Sequence, residues 1–162
     1  MKLSLVQCEP SAEGFEASLR SFDELLGTGT GADIYILPEM FATGQCMNPV
    51  NAAQRMDGPV VSWMLRTASR LNAAVTGSLA VEEGGKYYNR MCFALPDGSV
   101  VTYDKRHLFT YSGEGEHYTA GEERVITEFR GVRILLQVCY DLRFPVFSRN
   151  RDDYDLAIYV AN

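Results

Sequence analysis

Val132-Arg133-Ile134-Leu135-Leu136-Gln137-Val138-Cys139-Tyr140-Asp141-Leu142-Arg143-Phe144-Pro145 is an almost unbroken apolar run that ends abruptly at a cysteine. So dense a run predicts a buried strand over residues 132–139 followed by a sharp turn into a helix. The sulfur would then lie beside a helix N-terminus, where unpaired amides and the macrodipole favour thiolate, the form that attacks carbonyl carbon. Such a placement is that of a nucleophilic cysteine in an enzyme. Arg130-Gly131 joins the strand to another over 125–129 as a hairpin, and residues 156–160 form the last strand.

Upstream, short apolar strands alternate with amphipathic helices. Residues 2–7 predict a first strand, and a helix from near Ala12 carries Phe15, Leu19, Phe22 and Leu26 on one face before Gly27, Gly29 and Gly31 end it. A second strand over 33–37 is closed by Pro38, which restricts its neighbour and cannot donate to a ladder. Pro59 suits the first turn of a helix with Val60, Met64, Leu65, Ala68 and Leu71 inward and Trp63 at its flank. Strands follow over 74–81, 87–95 and 100–103, the last two joined by the turn signal Pro96-Asp97-Gly98. The class is mixed α/β with antiparallel hairpins, in one domain spanning 1–162.

Composition narrows the function. The chain has 162 residues, 46% of them apolar, enough for a globular core, and a formal charge of -6 with no basic stripe. Nucleic-acid binding draws its affinity mainly from Lys and Arg against phosphates, so no nucleic-acid partner is expected. No apolar stretch approaches the roughly 18 to 20 residues that span a bilayer, and residues 1–6 are too short for a signal peptide, so neither a membrane partner nor export is expected and the expected compartment is the cytoplasm. Cys8, Cys46, Cys92 and Cys139 are widely spaced, with no CxxC pair and no histidines at zinc-ligand separations. A disulfide scaffold or metal site is not expected, nor any cofactor. Cys8 and Cys92 suit small buried apolar positions, and Cys46, after a loop glycine, suits an exposed one.

Three ionisable residues each follow a strand directly: Glu39 in Leu37-Pro38-Glu39-Met40-Phe41, Lys105 in Tyr103-Asp104-Lys105-Arg106-His107-Leu108-Phe109, and Cys139. Brought to one pocket they supply a nucleophile, a general base and a cation for the negative charge that develops on a carbonyl oxygen, the set amide hydrolysis needs. Singly, each has a plainer role: Glu39 as a cap, Lys105 as a solvated charge beside Arg106, Cys139 as a core thiol. Asp141 suits the N-cap of the helix after the nucleophile, and Arg143 a structural ion pair. His107 and His117 are rival bases for the thiol, weaker than the glutamate because one lies two residues past Lys105 and the other in a loop.

Together the three contexts resemble the nitrilase superfamily of carbon-nitrogen hydrolases, in the family's order and over nearly the whole chain. The tail Arg143-Phe144-Pro145-Val146-Phe147-Ser148-Arg149-Asn150, with Asp153-Tyr154-Asp155-Leu156 and Tyr159-Val160-Ala161-Asn162, is similar to the omega-amidase branch. The resemblance implies an α-β-β-α sandwich, homodimers or larger homo-oligomers, and a Glu39-Lys105-Cys139 triad acting on a small-molecule amide. It implies that the Tyr140 backbone amide assists Lys105, and that a second glutamate, Glu114 or else Glu116, holds the lysine and substrate, Glu114 being favoured by its distance from Gly121. Phe41, Tyr111 and Arg143 are candidates for contact with substrate, and Tyr118 and Tyr140 for core or pocket wall. The family continues beyond the segment matching Ala161-Asn162, so a domain incomplete at its C-terminus is expected. The substrate implied is the terminal amide of a small 2-oxo acid, with another amide or N-carbamoyl compound, or an inactive assembly module, as alternatives.

Overall fold

The computed structural model describes residues 1–46 and 48–162. Strands β1 (Leu3–Leu5), β2 (Ile34–Ile36), β3 (Ala74–Glu83), β4 (Lys86–Ala94) and β5 (Val100–Asp104) form one sheet in sequence order, parallel from β1 to β3 and antiparallel from β3 to β5. Strands β6 (Ile126–Phe129), β7 (Val132–Val138) and β8 (Leu156–Val160) form a second, with β6 antiparallel and β8 parallel to the central β7. Most strands end within a residue or two of their expected limits. β3 runs two residues further, to a turn at Gly84-Gly85 whose positive φ angles of 61° and 76° suit glycine.

Alternation along the strands sorts side chains into two cores. Ile34, Ala74, Met91, Phe93 and Tyr103 of the first sheet meet Ile134, Leu136, Val138, Ile158 and Val160 of the second. The opposite face of the first sheet, with Tyr35, Val75, Leu79, Val81 and Cys92, packs under α1 (Phe15–Leu26) and α2 (Pro59–Leu71). Each large apolar side chain so buried contributes about 1.5–3 kcal/mol. After α2 the helices are single turns, α3 (Glu114–His117) and α4 (Pro145–Ser148), so the described residues build the α-β-β part of the expected sandwich.

Three expectations are corrected. The first helix begins at Phe15, with Gly14 at its N-cap, rather than near Ala12. Trp63 is not at the flank of α2 but inside the core, 6.3 Å from Phe22 and 5.9 Å from Phe41 between ring centroids. At 100° per residue, position 63 lies at the edge of the buried arc, about 40° beyond Thr67, and its large ring reaches inward to Phe22 and Phe41, whereas Leu65 lies past the opposite edge and is only partly covered. Phe41 is fully buried against Phe22 and Trp63, so its ring belongs to the helix-side core and not to a substrate pocket.

Candidate active site

Three strand ends deliver the ionisable groups. Beyond β2 the chain still follows β3, with Leu37 N–H bonded to the Thr76 carbonyl and Phe41 N–H to that of Ser78. Glu39 lies between them, and its N–H reaches the Ala161 carbonyl beyond β8 at 3.2 Å, tying one sheet to the other. Met40 takes a φ of 52°, unusual for a residue with a side chain, and its N–H is held by Ser78 Oγ at 3.0 Å. Lys105 prolongs β5, its N–H bonded to the Asn89 carbonyl at 3.0 Å. Cys139 follows β7 with φ 43° and opens a five-residue 3-10 turn, Cys139–Arg143. A strained φ at the turn after a buried strand points the thiol out of the ladder.

Glu39, Lys105 and Glu114 are 4%, 2% and 5% exposed, and they meet. Lys105 Nζ lies 2.8 Å from Glu39 Oε1 and 3.1 and 2.9 Å from the two oxygens of Glu114. Glu114 Oε2 also accepts the Phe109 N–H at 2.6 Å. Burial alone would lower the pKa of Lys105, but the two carboxylates outweigh it and the net shift is upward, so the ammonium is kept charged. Glu116 is exposed on α3 and lies outside this cluster.

Cys139 shares a cavity of about 40 Å³ with Glu39, Lys105, Glu114, Asn89 and Tyr118. Its thiol is pushed up to about 11, first by burial, then by the charge and hydrogen bonding of Glu39; Lys105 and the Asn162 backbone amide oppose this more weakly. That overturns the expected helix-promoted thiolate, since a single 3-10 turn offers too little dipole to offset desolvation beside a carboxylate. A pKa raised in this way favours the protonated thiol beside Glu39. Among the described residues Glu39 Oε2 has no full hydrogen-bond partner.

Asp141 is fully buried and sits inside the turn rather than at its N-cap. It accepts from Val138 N–H at 3.0 Å, Tyr103 OH at 2.7 Å, His107 N–H at 3.0 Å and His107 Nδ1 at 2.7 Å. Tyr103 and His107 flank Lys105, so this carboxylate ties the lysine segment to the Cys139 turn. His107 is committed to Asp141 and stacked on Phe144 at 3.7 Å, and His117 is exposed on α3. Tyr118 donates its hydroxyl to the Cys46 carbonyl at 2.7 Å, bringing Cys46 to the cavity wall. Tyr111 is 85% exposed, and Arg143 is exposed and makes none of the ion pairs among the described residues; neither lines the cavity. Tyr140 packs edge-on against Phe109 and Phe144.

Sequence reasoning missed Asn89, whose Nδ2 donates to Glu39 Oε1 at 2.8 Å and to Glu114 Oε1 at 3.0 Å. A polar residue in phase with Met91 and Phe93 on a buried strand was the available signal. Among the described residues no group of three or more His, Cys, Asp or Glu side chains is arranged to hold a metal ion, and no helix is long and apolar enough to cross a membrane.

The same fold and strand-end geometry recur in known proteins. A sequence profile of carbon-nitrogen hydrolases matches residues 2–162. The chain belongs to that family. It is 48% identical over 162 residues to omega-amidase YafV of Yersinia enterocolitica, covering all of this chain and 63% of that protein. To 2-oxoglutaramate amidase of Bacillus subtilis it is 35% identical over 121 residues, 73% of this chain and 47% of the relative. Among solved structures it superposes on XC1258 of Xanthomonas campestris, a CN-hydrolase superfamily protein with an arsenic adduct in its active site, with a TM-score of 0.96 and 42% identity, over all of this chain and 64% of that one. The chain thus spans under two thirds of the length of these relatives, and it has the nitrilase fold.

Proposed function

We propose that this protein hydrolyses the terminal amide of small 2-oxo acid monoamides, such as 2-oxoglutaramate, through a Cys139 thioester. The observation that carries the proposal is the Glu39-Lys105-Glu114 cluster buried against the Cys139 thiol, with one Glu39 oxygen lacking a hydrogen-bond partner. Glu39 takes the thiol proton as sulfur bonds to the amide carbon, and the carbonyl π electrons move onto oxygen. Lys105 Nζ and the Tyr140 backbone N–H stabilise that oxyanion. Glu39 then protonates the departing nitrogen, the C–N bond breaks, and ammonia leaves. Water, giving a proton to Glu39, cleaves the thioester to the acid, and the proton returns to sulfur. Glu114 holds Lys105 in place, and no metal or cofactor takes part.

The 2-oxo acid preference is supported by the names of the relatives at 48% and 35% identity. Lys105 is the sole cation among the cavity residues described, and it is already paired with two carboxylates. The same proposal includes a homodimer in the cytoplasm, which light scattering and cell fractionation test. Ammonia release from 2-oxoglutaramate, 2-oxosuccinamate, glutamine, asparagine, an N-carbamoyl amine and a nitrile tests the substrate. The oxo-acid amides should lead and Cys139→Ala should be silent. A win for the nitrile or the carbamoyl compound refutes the substrate assignment, and full turnover by Cys139→Ala refutes the mechanism.

A further inference from the structure

Asn89 sits 1% exposed on β4, on the face that otherwise carries Met91 and Phe93 into the inter-sheet core. Its Nδ2 donates to Glu39 Oε1 at 2.8 Å and Glu114 Oε1 at 3.0 Å, while its Oδ1 has no partner. The reversed amide would set that oxygen against two carboxylates, so an unpaired Oδ1 accompanies the only orientation the cluster accepts. The Asn89 carbonyl accepts the Lys105 N–H, which fixes the asparagine directly across the ladder from the lysine.

The distribution of donors over Glu39 is unequal. Oε1 receives both Asn89 Nδ2 and Lys105 Nζ, each at 2.8 Å, and among the described residues Oε2 receives no full hydrogen bond. Glu114 shows the alternative, with both oxygens on Lys105. We propose that Asn89 is a positioning residue that fills Glu39 Oε1 and thereby reserves Oε2 for proton exchange with the Cys139 thiol. Without it the Glu39 carboxylate is free to turn and pair both oxygens with Lys105 as Glu114 does, drawing the base away from sulfur.

This inference rests on Glu39 acting as the base, so its test first separates the two. In the intact protein, iodoacetamide labelling of Cys139 across pH, which needs no substrate, should show an acid limb in the wild type that Glu39→Gln removes. Asn89→Leu, close in volume, should slow the Glu39-dependent labelling by about threefold or more, as the carboxylate turns from sulfur toward Lys105. With 2-oxoglutaramate, kcat near neutrality should fall about tenfold or more while KM stays within about threefold. In a Glu39→Gln background Asn89→Leu should add no further loss, because the group it positions is gone. Should Asn89→Leu fail to fold, Asn89→Asp keeps the shape but removes the Nδ2 donor, and the Glu39-dependent labelling should slow in the same way. Unchanged Glu39-dependent labelling in a folded variant, or an equal loss in both backgrounds, overturns the inference and leaves the proposed function standing. A wild type without a Glu39-dependent limb overturns both.

Discussion

Glu39→Gln should make the Cys139 thiol easier to ionise and the enzyme far slower. With its pKa at about 11, roughly one Cys139 in 10⁴ is a thiolate at pH 7, against a few per cent for an ordinary cysteine. Burial is the largest cause, and Glu39 contributes the next two through its charge and its hydrogen bonding. The glutamine substitution removes both Glu39 contributions, and leaves burial opposed by Lys105 and the Asn162 amide. The thiol pKa should therefore fall by about one unit or more, and alkylation of Cys139 near pH 9 should quicken by up to about tenfold. Turnover at pH 7 should meanwhile drop by about 10²–10⁴, the range general-base catalysis supplies. Mass-resolved alkylation of each cysteine and ammonia release on one preparation measure both. A rise in the thiol pKa, or turnover within tenfold of wild type, would refute the base assignment; slower alkylation together with lost turnover would point to a collapsed site.

Further perturbations probe the supports. Lys105→Met leaves Glu39 and Glu114 buried with Asn89 as their shared donor, and should cost about 3–5 kcal/mol in denaturant melts as well as roughly 10²–10³ in turnover. Asp141→Asn turns part of an acceptor toward four donors, and a loss of about 3 kcal/mol should lower the melting temperature by roughly 5–12 °C while Cys139 labelling loses its selectivity. Gly121→Ala would drive a Cβ into the Asp104 backbone carbonyl beside the Gly121 N–H to Lys105 carbonyl bond, so ammonia release should fall through a displaced lysine. Arg124 and Arg133, mainly by side-chain hydrogen bonds, hold Asp153 and Asp155 at about 2, below their ordinary 3.8. Because folding lowers these pKa values, their stabilisation is present above about pH 4 and fades toward pH 2; Arg133→Gln should flatten that part of an acid titration followed by circular dichroism.

Strands were legible because alternation and turn residues carry their own signal. Arg130 and Gly131, for example, both take positive φ between β6 and β7, the backbone a two-residue hairpin turn asks for. The three strand-end residues were legible for a related reason: each follows a buried run at a proline, a charge cluster or a turn. Phase within a helix was harder. Trp63 sits at the edge of the helix's buried arc, which reads as a flanking position, but the aromatic neighbours Phe22 and Phe41 draw its ring inward. Electrostatics were hardest. The adjacency of Cys139 to a helix start suggested a stabilised thiolate, whereas the opposing effects of burial and Glu39 come from residues a hundred positions away. Asn89 and Asp141 were illegible as site residues for the same reason, since their importance lies in which distant atoms they touch.

The proposed base, Glu39, hangs from one sheet and the Cys139 sulfur from the other, with the Glu39 N–H to Ala161 carbonyl bond as a direct strap between them. The aliphatic filling between the sheets is therefore also a spacer that sets how far proton donor and acceptor stand apart. Trimming Leu136 or Ile158 by a methyl group should disturb catalysis at a dose of volume too small to threaten folding. In this architecture, tuning the rate and tuning the thickness of the interior are the same operation.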